Sequence, residues 1–132
     1  RMLEVRSLDT AQQIEKYIND NIAWDLSIEH LCAHFSISRA ELYQLFHTNF
    51  NASVADYIRS KRIAMAEQLI RTTSMQISEI AANVGFFDYN YFSKVFHRKF
   101  GVSPREYRKK LEDNGTGQEK TAEQGKSNTK KA

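Results

Sequence analysis

The chain has 132 residues, 41% hydrophobic and 27% charged, with a formal net charge of +3, which is one domain of ordinary size or two very small ones with a globular balance. No apolar run approaches the ~18 residues of a membrane span, and no basic start leads into an apolar core, so neither membrane contact by this segment nor a secretory leader is expected. A single cysteine, Cys32, excludes an internal disulfide and fits a cytoplasmic protein.

The elements expected in chain order are all helices. The chain has one proline and five glycines, and no strict apolar/polar alternation suggests a strand. Helices are expected near 9–21, 27–35, 38–50, 53–72, 76–84, 89–100 and 104–111. Ser38-Arg39-Ala40-Glu41 reads as a capping box, in which the Ser and Glu side chains satisfy free backbone N–H groups. The helix over 53–72 has an apolar side of Val54, Tyr57, Ile58, Met65 and Leu69. Gly85 is placed to end the fifth helix in a left-handed cap, and Asp88 to start the sixth. Phe87, just before that cap, could pack on Phe92 as a hydrophobic staple. Ser103-Pro104-Arg105-Glu106 is a second capping box, with proline where its missing N–H costs nothing. Residues 113–132 have no large apolar side chain and are expected to be disordered.

The chain also repeats itself. Ser27–Phe35 aligns with Gln76–Val84 at an offset of 49, and Phe87 then shifts the offset to 50. In that register Leu42 matches Phe92, Phe46 matches Phe96, His47 matches His97, Phe50 matches Phe100, Ser53 matches Ser103 and Tyr57 matches Tyr107. Each copy is a short helix, a tight turn and a second helix, the pattern of a helix-turn-helix. Ser36 holds the place of Gly85 in the first copy, a somewhat strained choice. The expected organisation is therefore all-α: 1–112 as one domain, with a first helix-turn-helix subdomain at 8–52, a linker helix at 53–72 and a second subdomain at 73–112, then the tail.

At 100° per residue the second helix of each copy has two faces. Phe92, Val95, Phe96 and Phe100 fall on one side in the second copy, and Leu42, Leu45 and Phe46 in the first. The opposite side of the second copy carries Asn90, Lys94 and His97, flanked by Tyr91, Ser93 and Arg98. In the first copy it carries Ala40, Gln44 and His47, with Tyr43 on the flank and Arg39 near the helix start. Gln can bond an adenine edge twice, Lys reaches guanine O6 and N7, and Ala can touch a thymine methyl. Any one of these alone would read as an ordinary solvated face. A base-stacking platform for single strands fits less well, because the aromatics form one buried stripe.

Charge is distributed unevenly. Residues 1–52 carry 4 Lys/Arg against 7 Asp/Glu, residues 53–110 carry 11 against 5, and residues 111–132 carry 4 against 4. A basic block of this kind suits a nucleic-acid partner. A helix of ~20 residues spans ~30 Å, close to the ~34 Å between successive major-groove faces on one side of double-stranded DNA. One chain could thus present two reading helices to one duplex. Arg59, Lys61 and Arg62 on the linker are candidates for phosphate contact or plain solvated charges.

These residues carry a resemblance. Ile80-Ala81, Val84-Gly85-Phe86, Asp88, Tyr91-Phe92-Ser93-Lys94-Val95-Phe96, Phe100-Gly101, Ser103-Pro104 and Tyr107-Arg108 resemble the DNA-binding domain of the AraC/XylS family of bacterial transcription regulators. The likeness extends over residues near 8 to 110, with "DYIRSKRIAMAEQLI" similar to the linker helix. It implies seven helices in two helix-turn-helix subdomains and sequence-specific binding upstream of promoters. It implies that Arg39, Ala40, Tyr43 and Gln44, and Tyr89, Asn90, Tyr91, Ser93 and Lys94, face the grooves. Phe87 departs from the polar residue common at its place. Family members usually carry a separate sensing or dimerisation domain, and a chain that opens Arg1-Met2 fits a C-terminal output fragment. RNA polymerase is an expected partner.

Other chemistry is weakly signalled. His30 and His34 share a helical face, but Cys32 between them points elsewhere, and structural metal sites want four ligands. No phosphate loop, activated cysteine or paired catalytic carboxylates stand out, so neither a cofactor nor an enzyme activity is expected. The rival reading is a helical protein-interaction module whose repeat is merely structural.

Overall fold

The structure, a computed structural model, describes residues 2–123. Seven helices follow one another: α1 (Met2–Asp20), α2 (Ile28–Phe35), α3 (Arg39–Phe50), α4 (Val54–Thr72), α5 (Ile77–Asn83), α6 (Tyr89–Phe100) and α7 (Pro104–Glu123). No strand occurs among the described residues.

Local chemistry sets most of these limits. Ser27, Ser38, Ser53 and Asp88 each accept a hydrogen bond from the backbone N–H three residues on, which satisfies one free donor per helix start. Both expected capping boxes form: Glu41 returns the bond to the Ser38 N–H at 2.9 Å, and Glu106 does so to Ser103 at 3.1 Å. Two ends differ from expectation. α1 begins at Met2 rather than near 9, because "MLEVRSL" contains no breaker. α7 runs on to Glu123, so the part of the tail up to that residue is helical rather than disordered. No proline follows Pro104, and extending a helix already nucleated costs little beyond the ~1 kcal/mol of each glycine. The rest of the tail, 124–132, lies outside the described residues.

Two cores result. The first joins Ile14, Ile18, Ile22, Leu26, Leu31, Leu42, Phe46, Val54 and Ile58. The second joins Ile63, Ala66, Ile70, Ile77, Ile80, Ala81, Val84, Phe86, Phe92, Val95 and Phe96. α4 serves both, with different faces. Val54 and Ile58 point to the first core, while Ile63, Ala66 and Ile70 lie about 130° away around the helix at 3.6 residues per turn. The stripe expected on this helix captured one of these faces. Met65 packs against both cores.

The repeat is physical as well as sequential. Phe46, Phe50 and Tyr57 pack ring against ring at 4.5–5.2 Å, and Phe96, Phe100 and Tyr107 do so at 4.5–5.4 Å. The Tyr57 hydroxyl donates to Glu15 at 2.7 Å, and the Tyr107 hydroxyl donates to Glu67 at 2.6 Å. Each copy also uses one arginine to hold the loop that leads into it. Arg62 donates to the Ile22 and Trp24 carbonyls, and Arg108 to those of Ile70, Thr73 and Met75.

The turns follow the expected left-handed geometry, with Ser36 at φ 55° and Gly85 at φ 100°. The staple does not form. Phe87 is 81% exposed, because Phe86 takes the slot against Phe92, at 5.1 Å between ring centroids.

Candidate nucleic-acid interface

α3 and α6 each bury one face and leave the other in solvent. In α3, Leu42 and Phe46 are buried, and Leu45 packs at the edge of the first core. Arg39, Ala40, Tyr43, Gln44 and His47 are exposed. Two of them are held by neighbours. Arg39 pairs with Glu29 of α2 at 2.6 Å, and that contact raises the guanidinium pKa. The Gln44 amide donates to the Thr48 hydroxyl at 2.8 Å. Both contacts lie in solvent, where such bonds contribute little and exchange readily for a better acceptor.

In α6, Phe92, Val95 and Phe96 are buried. Asn90, Tyr91, Lys94, His97 and Arg98 are exposed and Ser93 is half-buried. Ser93, Lys94, His97 and Arg98 line one shallow depression together with Ser103. Tyr89 is half-buried as well, and its ring packs against the second core, 6.0 Å from that of Phe92. The Tyr91 hydroxyl accepts a bond from Arg59 Nε at 3.1 Å, so its ring is braced from the linker helix.

Pairing separates the cations. Arg59 bonds Asp56 at 2.6 Å and holds that carboxyl below its usual range. Lys61 lies 3.6 Å from Glu15 and over the Tyr57 ring at 5.3 Å. Arg71 pairs with Glu67 at 3.0 Å. Arg62 turns inward to carbonyl oxygens, and its partial burial pushes its pKa down. By contrast Lys94, Arg98 and Lys99 of α6 make no ion pair among the described residues. The reading helix of the second module thus displays cations with no ion-pair partner among the described residues, whereas Arg39, the one Lys/Arg of α3, is paired.

Two further aromatics stand exposed: Trp24, to which sequence reasoning gave no role, and Phe87, expected as a staple. Trp24 is 68% exposed and Phe87 81%, and both line a groove of about 610 Å³ between the modules. Their isolation from any apolar period was the available signal. The His30 and His34 rings are engaged by Tyr17, the first through a 2.7 Å bond to its hydroxyl and the second stacked at 4.1 Å.

The chain is similar to known helix-turn-helix proteins. The family described as "Helix-turn-helix domain" matches residues 31–110. The HTH-type transcriptional activator RhaR of Cronobacter sakazakii is 38% identical over 100 residues, 76% of this chain and 35% of that protein. The C-terminal domain of the two-component response regulator yesN from Fusobacterium nucleatum superposes with a TM-score of 0.71 at 30% identity, over 76% of this chain and 98% of that one. A transcriptional regulator from Chromobacterium violaceum, of the AraC-type DNA-binding domain-containing proteins, superposes with a TM-score of 0.69 at 26% identity, covering 84% and 96%. The chain spans about a third of the length of the curated relatives it matches.

Proposed function

The chain belongs to the AraC-type helix-turn-helix family, and from that premise we propose that it is the DNA-reading part of a bacterial transcription regulator. The exposed face of α6 is the observation that carries this reading. Asn90, Lys94 and His97 stand outward beside Arg98 and Lys99, which make no ion pair among the described residues, on the second helix of a helix-turn-helix, which is the element that enters a major groove. Lys94 and Gln44 supply the donors for guanine and adenine edges. Ala40, Tyr43, His47, Tyr91 and Ser93 contribute contact area, Arg39 faces the groove, and Arg98 meets phosphate. Tyr89 positions the start of α6 more than it touches DNA.

The 19 residues of α4 span about 28 Å at 1.5 Å per residue. The protein accordingly places α3 and α6 in successive major-groove segments of one duplex and acts as its own dimer. The division into 8–52, 53–72 and 73–112 follows the two cores and the helix they share. A sensing or dimerisation domain in the same polypeptide and RNA polymerase at the promoter complete the proposed assembly, which works in the cytoplasm without a cofactor and without catalysing a reaction. Titration with a fluorescent duplex at two salt concentrations tests the reading. Affinity should fall steeply with salt, because phosphate contacts release counterions. Salt-independent or absent duplex binding would favour the protein-interaction alternative.

A further inference from the structure

Arg62 of α4 sits where the two modules meet. It donates from Nε to the Ile22 carbonyl and from a terminal nitrogen to the Trp24 carbonyl, both at 3.0 Å. It thereby holds the loop between α1 and α2 in the first module. The same guanidinium lies against Gly85 in the turn of the second module. A Cβ added at Gly85 would stand 2.6 Å from Arg62 Nε, 2.6 Å from the Ile22 carbonyl oxygen and 2.8 Å from Arg62 Cζ. Backbone of the first module, side chain of the linker and backbone of the second module therefore meet at one point.

Few other ties connect the modules. The helix pairs in extended contact lie within one module or include α4. The bond from Arg59 to the Tyr91 hydroxyl is a second, exposed tie. The turns themselves reflect the difference. Gly85 and Ser36 hold matching places in the two copies, but φ is 55° at Ser36 and 100° at Gly85, and at 100° a side chain is strained whatever the space. Close approach to Arg62 and Ile22 adds a second demand for glycine at Gly85.

We infer that Arg62 is a positioning residue, which by seating against Gly85 fixes the separation and orientation of the reading helices α3 and α6. This inference rests on the DNA-reading role proposed above and adds that the modules are pre-set rather than loosely tethered. A rigid pair binds strongly only where half-site spacing matches its own, whereas a tethered pair tolerates altered spacing.

The test has two arms. The first uses no DNA. Spin labels are placed at exposed positions with Thr48→Cys and Lys99→Cys in a Cys32→Ala background, and the distance distribution is measured. A single narrow distribution is expected, which Arg62→Leu broadens. Gly85→Ala, which forces the guanidinium aside from the other module, should broaden it too and serves if Arg62→Leu does not fold. The second arm uses duplexes selected from a random pool by the unaltered chain, then lengthened by one or two base pairs between half-sites. Arg62→Leu should lose about tenfold in affinity at native spacing and show a flatter dependence on spacing. A distribution left narrow in both variants overturns the inference whatever the duplexes do. Broadening without any duplex bound by the unaltered chain upholds the joint and removes the DNA-reading role.

Discussion

At the scale of single residues, the outward faces were legible from the helical wheel, because an amphipathic helix repeats every 3.6 residues and α6 follows that period closely. Removing one reading side chain should cost what a bidentate base contact is worth. Lys94→Ala and Gln44→Ala are each expected to lose ~1–3 kcal/mol on the preferred site and to relax base preference locally. Arg98→Ala should instead weaken all sequences alike. Binding measured on the selected site and on single-base variants of it decides between the two patterns, and an unchanged preference in Lys94→Ala would remove its assigned role. The fate of Arg62 was not legible. Its charge pattern on α4 resembles that of Arg59 and Lys61, and only the course of the α1–α2 loop reveals two carbonyl oxygens within reach. Glycines divide in the same way. Gly101 has φ 82° and open space around its missing Cβ, so Gly101→Ala should carry only the cost of left-handed geometry, about 1–2 kcal/mol. Gly85→Ala adds an overlap with Arg62 and Ile22, about 1–3 kcal/mol more. Thermal melts of the two variants should rank accordingly, and equal melting points would contradict the close approach.

At the scale of elements, helix starts were readable and some ends were not. Ser38, Asp88 and Ser103 announce their helices because a short polar side chain beside a helical run can satisfy orphan N–H groups. The end of α7 carries no such mark, since residues 113–123 lack proline and hold several good helix formers among their glycines. Truncation after Asp113 should still leave the melting temperature nearly unchanged, because the removed residues bring no large apolar side chain to either core. A large drop would give that extension a structural role. α4 was only half legible. A single apolar stripe is the usual sign of one buried face, and this helix buries two. Its lower half is also tied by charge. Glu67 pairs with Arg71 and accepts a bond from Tyr107, and the Arg71 contact holds its carboxyl below the usual range. A carboxyl whose folded pKa is depressed stabilises the fold above its unfolded value of ~4.3, and that contribution is lost as pH falls through the folded value. Glu67→Gln keeps an acceptor for Tyr107 and removes the titrating charge. It is expected to cost about 1 kcal/mol or less at pH 7, a deficit that shrinks as pH falls below ~4.3 and vanishes below the folded value. Melting curves across that range test this, and a deficit that persists in acid would point to lost packing instead.

At the scale of the whole molecule, charge divides labour between two modules of the same design. Residues 1–52 carry 4 Lys/Arg against 7 Asp/Glu, and residues 53–110 carry 11 against 5. The structure sharpens the contrast, since Arg39 in the first module is paired with Glu29 while Lys94, Arg98 and Lys99 in the second have no ion-pair partner among the described residues. Pairing matters here because a cation that already neutralises a carboxylate must give it up, or share it, to neutralise a phosphate. Phosphate contacts govern sequence-independent affinity and its salt slope, while base contacts add discrimination. The second module should therefore dock first and hold the duplex, and the first should add selectivity once tethered nearby. Neutralising Lys94, Arg98 and Lys99 together is expected to flatten the slope of log affinity against log salt, by roughly 0.9 for each of them that meets phosphate, and to abolish nonspecific binding. Replacing Arg39, Tyr43 and Gln44 with alanine should mainly erode discrimination and leave nonspecific affinity largely in place. Footprints of the unaltered chain should cover an asymmetric site about two helical turns long. In the α6 variant the half contacted by α6 should lose protection first as salt rises. The reverse order, with the slope following Arg39 rather than the α6 cations, would make the first module the anchor. The free charges of α6 would then serve another partner.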